Sequence, residues 1–109
     1  MNFIIGEITD NKFRSATIGI DAKYSNQKAI LGIRSEDLIL DPNGDIKSQV
    51  ELVEMLGSEK LVHFTFNESK IIAKLPSDKE VKQGDNVSFS MNLEKVILFN
   101  KETTENLAF

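Results

Sequence analysis

The sequence predicts an all-β fold, with an antiparallel sheet closed on itself or sandwiched. Three observations point there. Apolar residues recur with period two or in short near-continuous runs. Gly, Pro, Asn and Asp fall between those runs. Their spacing yields about seven or eight short strands, the pattern of a barrel or sandwich. Closure would also pair the edges that an open sheet leaves exposed. Helix is expected to be minor.

The first strand is expected over residues 1–9, with Asp10-Asn11 as a tight turn into a second over 12–20. Residues 24–28 are polar and read as a loop, and 29–33 form a compact apolar strand. Ser35-Glu36-Asp37 breaks that run and suits one short helical turn before Leu38-Ile39-Leu40 resumes extended structure. Asp41-Pro42-Asn43-Gly44-Asp45 is a strong turn, because proline fixes φ and Asn-Gly tolerates positive φ. The longest strand is expected over 46–56, with Ile46, Val50 and Leu52 on one face and Val53 and Met55 on the other. Residues 49–56 also fit an amphipathic helix; the β-branched valines and the flanking turns favour a strand. Gly57-Ser58 ends or bends it.

Residues 61–66 place Val62, Phe64 and Phe66 on one face, and Asn67-Glu68 fits a two-residue hairpin turn. The return strand over 71–75 stops at Pro76. A charged loop over 78–85 turns at Gly84-Asp85, and 86–91 put Val87, Phe89 and Met91 on one side. Residues 92–95 turn again, 96–99 make the last strand, and the tail from Asn100 is polar until Leu107. No repeat or linker divides the chain, so one domain is expected over residues 1–109.

The composition narrows the function. The chain has 109 residues, 40% hydrophobic and 28% charged, which is the balance of an ordinary globular domain. It has no cysteine, so disulfides and thiolate metal sites are excluded. Apolar runs such as Phe3-Ile4-Ile5 are far too short for a membrane-spanning helix, and the N-terminus lacks the basic leader of a secretory signal. The net charge is −4 and the basic residues are scattered, which argues against nucleic acid as a partner. The seven phenylalanines fall mostly at apolar strand positions, which favours a core role over base stacking.

No residues assemble into a recognisable catalytic group. There is no G-x-x-x-x-G-K-[ST] loop and no G-x-G-x-x-G; the six glycines stand singly. His63 is the lone histidine, without the partners a metal site or triad requires. Glu51, Glu54, Glu36 and Asp37 read as solvated surface charge. Arg34 follows an apolar strand and is expected to fix its end through a salt bridge, with an interface or anion-binding role as the alternative. Leu56-Gly57-Ser58-Glu59 permits a sharp backbone turn. It is either a plain turn with a solvated Glu59 or a polar contact to a partner chain or ligand, and the residues leave both open.

A set of short segments resembles a known family. Leu31-Gly32-Ile33-Arg34-Ser35-Glu36-Asp37 is similar to the LGIRPE(D/H) segment in the C-terminal region of importer ATPases for maltose, other oligosaccharides and glycerol phosphate. Met1-Asn2-Phe3 with Gly6 resembles the MNF-x-x-G segment that opens that region. The run from Val50 through Glu51, Leu52, Val53, Glu54, Met55 and Leu56 to Gly57-Ser58-Glu59 resembles its VE-VE-LGSE run. Gly84-Asp85 with Val87 resembles its GD-x-V turn, and Leu98-Phe99-Asn100 its LFD segment. These occur in the family's order over nearly the whole chain. Ser35 departs from the usual Pro, Asn100 from Asp, and Thr103-Thr104 from Thr-Gly.

The resemblance implies an OB-like antiparallel β-barrel of the transport-associated (TOBE) type. It further implies a regulatory and dimerisation domain of an ABC sugar-importer ATP-binding subunit, not catalytic by itself, with ATP and magnesium belonging to the parent chain. Implied partners are a second copy of the ATP-binding subunit, the membrane permease subunits and a regulatory protein, at the cytoplasmic face of the cell membrane. Because the match begins at Met1, the chain reads as an excised domain. The segments expected to make contacts are Arg34 with Glu36, and Leu56, Gly57, Ser58 and Glu59. Related TOBE domains bind oxyanions, so a small-ligand module for oxyanions or sugars is the alternative, although no basic pocket is legible.

Overall fold

A computed structural model describes residues 1–103 and 106–107. Its twelve strands are β1 (Asn2–Thr9), β2 (Lys12–Ser15), β3 (Ile18–Asp21), β4 (Gln27–Ile33), β5 (Leu38–Leu40), β6 (Ile46–Gln49), β7 (Leu52–Leu56), β8 (Glu59–Phe66), β9 (Ser69–Pro76), β10 (Asn86–Met91), β11 (Ile97–Asn100) and β12 (Asn106–Leu107). Two short 3-10 turns, Ser35–Asp37 and Leu93–Lys95, are the only helical segments among the described residues. The all-β, OB-like expectation holds. The amphipathic stretch at 49–56 is extended and not helical.

The described strands form three antiparallel sheets and not one continuous closed ladder. The largest runs β12-β11-β4-β1-β2-β3, and the two smaller run β5-β10-β6 and β7-β8-β9. One hydrophobic cluster is shared by all three. At its centre the rings of Phe64 from β8 and Phe89 from β10 stack at 5.2 Å, which joins the two smaller sheets. Phe13 on β2 is fully buried in the same cluster. Phe3 by contrast is half exposed, with its ring edge-on to that of Phe99.

Turn chemistry explains most of the boundaries. Asp10 and Asn11 both take positive φ, as do Asn67 and Glu68, which is the backbone of a two-residue hairpin turn of type I′. Gly44 plays a different part from the one its sequence context predicts. It does not supply a positive φ. A Cβ there would sit 2.2 Å from the Phe89 backbone, so glycine is required for close approach.

Two predicted strands are each broken in two. Residues 12–20 split at Ala16-Thr17, the two-residue turn of a hairpin in which Ser15 stands opposite Ile18 and Ala16 takes a φ of 50°; Ser15 and Thr17 on either side make tertiary bonds. The Ser15 hydroxyl donates to the Ile5 carbonyl at 2.7 Å, and the Thr17 hydroxyl donates to that of Asp45. Residues 46–56 split at Val50-Glu51. Val50 pairs with the Gly84-Asp85 turn through bonds of 2.8 Å on either side. The Glu51 N–H donates to the carbonyl of His63, although Leu52 is the residue opposite His63. Two residues opposing one is a β-bulge, and it turns the chain from one sheet into the next. The strand expected to start at Ala29 begins two residues earlier, at Gln27. Leu107 pairs opposite Leu98, while Thr104 of the Thr103-Thr104 departure lies outside the described residues.

The seams between sheets are closed by side chains. The Asn2 amide donates to the Ile72 carbonyl at 2.8 Å and accepts from the Ile72 N–H at 2.9 Å, standing in for a neighbouring strand along the edge of β9. Asn67 reaches the Ser15 hydroxyl at 2.7 Å at the other end of that seam. The Ser48 hydroxyl donates to the Thr65 carbonyl at 2.6 Å, tying β6 to β8. Replacing Asn2 with Ala strands a part-buried N–H and C=O of Ile72. We expect a loss of about 2 kcal/mol in urea unfolding with an unchanged m-value. Phe64→Ala removes the stacked ring from the centre and is expected to cost about 4 kcal/mol.

Candidate functional site

The segments singled out in the sequence occupy two exposed places beside β9. The first is the 3-10 turn after β4. Arg34 is its N-cap residue in extended conformation, and its carbonyl accepts from the Asp37 N–H at 3.0 Å. The predicted salt bridge of Arg34 does not form: among the described residues the ion pairs are Lys12–Asp21, His63–Glu54 and Lys70–Glu51. The strand end is fixed by backbone bonds instead, including Asn92 N–H to the Asp37 carbonyl at 3.0 Å. Arg34 and Glu36 are therefore both exposed. They line a shallow groove with Asp37, Glu94, Lys95, Val96 and Ile97. Its three carboxylates outnumber its two cations, so it is not a basic pocket.

The second place is the tip joining β7 to β8. Leu56, Gly57, Ser58 and Glu59 are all exposed, and Gly57 takes a φ of 74°, which glycine adopts without a steric cost. The base of the tip is tied down. The Ser77 N–H donates to the Ser58 carbonyl at 3.0 Å, Glu59 stands opposite Pro76, and the buried Lys60 ammonium donates to the Lys79 carbonyl at 2.5 Å. The 3-10 turn packs against β9, and the tip is paired to the end of β9. The two segments thus flank one strand without sharing a groove.

The outer face of the β7-β8-β9 sheet carries a polar array whose carboxylates sequence reasoning read as separate surface charges. His63 Nε2 and Glu54 Oε1 are 2.5 Å apart. Glu51 accepts from the Thr65 hydroxyl at 2.7 Å and from the Lys70 ammonium at 3.1 Å. The Thr65 hydrogen bond, then that of Lys70 and the nearby positive charges, hold the Glu51 carboxyl below its ordinary value. The register Leu52↔His63 and Thr65↔Lys70 brings these groups together, and a sequence of separate strands does not state a register. Also missed were the exposed apolar side chains of Leu52 and Met55, which extend the surface along β7 from the predicted contact residue Leu56. Among the described residues, no three His, Asp or Glu side chains converge as a metal site would require.

The described residues form a small antiparallel β-fold with two exposed segments beside β9. Residues 31–99 match the family model of the TOBE domain, and the chain belongs to that family. The match starts at Leu31 and ends at Phe99, so it takes in both segments described above.

The chain is similar over 94% of its length to the oligosaccharides import ATP-binding protein of Bacillus subtilis (26% identical, 33% of that protein). It is similar over 99% to the sn-glycerol-3-phosphate import ATP-binding protein of Ruegeria sp. (31% identical, 32% of that protein). It is similar over 73% to the trehalose/maltose import ATP-binding protein of Thermococcus litoralis (31% identical, 24% of that protein). The chain spans a third or less of the length of each.

The depressed Glu51 value carries a pH prediction. A carboxyl lowered by folding contributes stability that is present above its unfolded value, near 4.5, and is lost as pH falls through the lower folded value. Glu51→Gln is therefore expected to lower stability at neutral pH and leave it unchanged well below pH 4, as read by thermal melts across that range.

Proposed function

We propose that this chain is a regulatory and dimerisation domain of the ATP-binding subunit of a bacterial ABC-type sugar importer, and that it acts by binding and not by catalysis. Its membership of the TOBE family and its similarity to import ATP-binding proteins support the class. One structural observation carries the regulatory part. The segments that resemble the family's LGIRPE and LGSE runs form an exposed turn and an exposed hairpin tip on either side of β9, where they are free to touch another chain.

On this reading ATP and magnesium are held by the rest of the subunit. The 109 residues contain no phosphate-binding G-x-x-x-x-G-K-[ST] loop. The partners are a second copy of the ATP-binding subunit, the membrane permease subunits through the parent chain, and a regulatory protein, at the cytoplasmic face of the membrane. The mechanism is a population shift. Paired domains hold two ATPases while these open and close, and an effector that binds one arrangement better displaces the equilibrium by its differential affinity.

A chimera tests this. The matching third of the Bacillus subtilis oligosaccharide importer protein is replaced by this chain, and assembly and ATP-dependent transport are measured. Retained pairing and transport are expected. A chimera that hydrolyses ATP yet shows neither pairing nor control of transport sinks the proposal. Within it, the double substitution Arg34→Ala/Glu36→Ala is expected to change stability by less than about 0.5 kcal/mol, since both side chains are exposed, while lowering regulated transport.

A further inference from the structure

β7 stands at the edge of its sheet, and among the described residues no strand pairs with its outer side. A free edge is a template for another strand, and proteins usually blunt one with lysine, proline or a covering loop. β7 contains neither residue. It reads Leu-Val-Glu-Met-Leu, with Leu52 47%, Met55 61% and Leu56 53% exposed. The pattern is the same in both directions about Glu54: two apolar residues, Glu, two apolar residues. A strand that meets its own copy across a two-fold axis must satisfy that condition, because residue i meets j while j meets i.

We propose that β7 pairs edge to edge with β7 of a second copy of this chain, antiparallel and centred on Glu54, joining two three-stranded sheets into one of six strands. The proposal rests on the dimerisation reading above and names the surface through which it operates. In this register Leu52 meets Leu56 of the second copy on the outer face, and Val53 meets Met55 of the second copy on the inner face. Opposed residues of an antiparallel pair share a face, so the exposed leucines cover each other.

Two Glu54 side chains meet at the axis, and like charges placed opposite each other are destabilising. His63 answers this. It lies on β8, on the side of β7 away from the free edge, and it holds the Glu54 carboxylate 2.5 Å from its Nε2. Each carboxylate is thereby drawn back from the axis and given a partner. The contact is small. A five-residue strand is about 17 Å long, and an edge of that length cannot cover the roughly 800 Å² per partner of a free-standing stable interface. Pairing is therefore weak between free chains and grows decisive where other contacts already hold two copies together and raise their effective concentration.

The natural sequence has no cysteine, so Glu54→Cys places the sole thiol of each chain on the axis. The facing Cα atoms of an antiparallel pair are within disulfide reach. Under mild oxidation Glu54→Cys is expected to form dimers faster than Asp78→Cys, which puts the thiol in an exposed loop. Sedimentation velocity of the natural sequence up to millimolar concentration is expected to show weak self-association. Met55→Lys should abolish it, with circular dichroism confirming the fold. His63→Ala should weaken it severalfold, and adding Glu54→Gln to that variant should restore it. Equal oxidation rates for the two cysteine variants overturn the proposal, and so does association indifferent to Met55→Lys. In the latter case the copies meet at another face and the regulatory reading stands, since the chimera judges that reading separately.

Discussion

The fold depends on how three sheets with unpaired edges are held around one core. Apolar burial draws the sheets together but does not set their register, because it has no direction. The register comes from polar side chains that bond to backbone across each seam. Asn2 occupies Ile72 from both sides, Ser48 holds the Thr65 carbonyl, and Thr17 holds that of Asp45. Each bond satisfies a backbone group that a closed ladder would have satisfied by strand pairing. No side-chain nitrogen or oxygen buried among the described residues lacks a partner.

This arrangement decides what remains outside. β9 is clasped along one edge by Asn2 and paired on the other to β8, and two exposed segments lie beside it. The turn carrying Arg34 and Glu36 packs against it, and the tip from Leu56 to Glu59 extends from its far end. β7 then forms the outermost strand of the assembly, with its leucines and Met55 turned to solvent while Val53 packs on the core. A fold that closed as one continuous barrel would have left no such strand. The incomplete closure and the exposed edge of β7 are thus the same structural fact.

The hairpins were legible in advance because their information is local. Asp10-Asn11 and Asn67-Glu68 tolerate the left-handed backbone that a two-residue turn demands, and the alternation Val62, Phe64, Phe66 assigns the face of β8 without reference to any other strand. The family motifs were legible for a similar reason, as runs of consecutive residues. The breaks at Ala16-Thr17 and Val50-Glu51 were not. Neither pair is a usual turn-forming sequence, and the polar atoms at both breaks bond to distant groups, Ile5, Asp45, Asp85 and His63, that the local sequence does not reveal. Arg34 went astray in the opposite sense. Its sequence neighbours Glu36 and Asp37 offered an ion pair that the 3-10 turn does not make.

The amino-acid sequence alone determined the class of fold, the local turns and the family, because period-two burial, turn residues and short motifs are properties of neighbouring residues. Only the tertiary structure decided how many sheets there are, which strand is left at an edge, and that Glu54 meets His63 while Glu51 meets Thr65 and Lys70. Those outcomes depend on strand register and on bonds between residues far apart in the chain. A shift of one residue in register would turn every side chain of a strand to its other face.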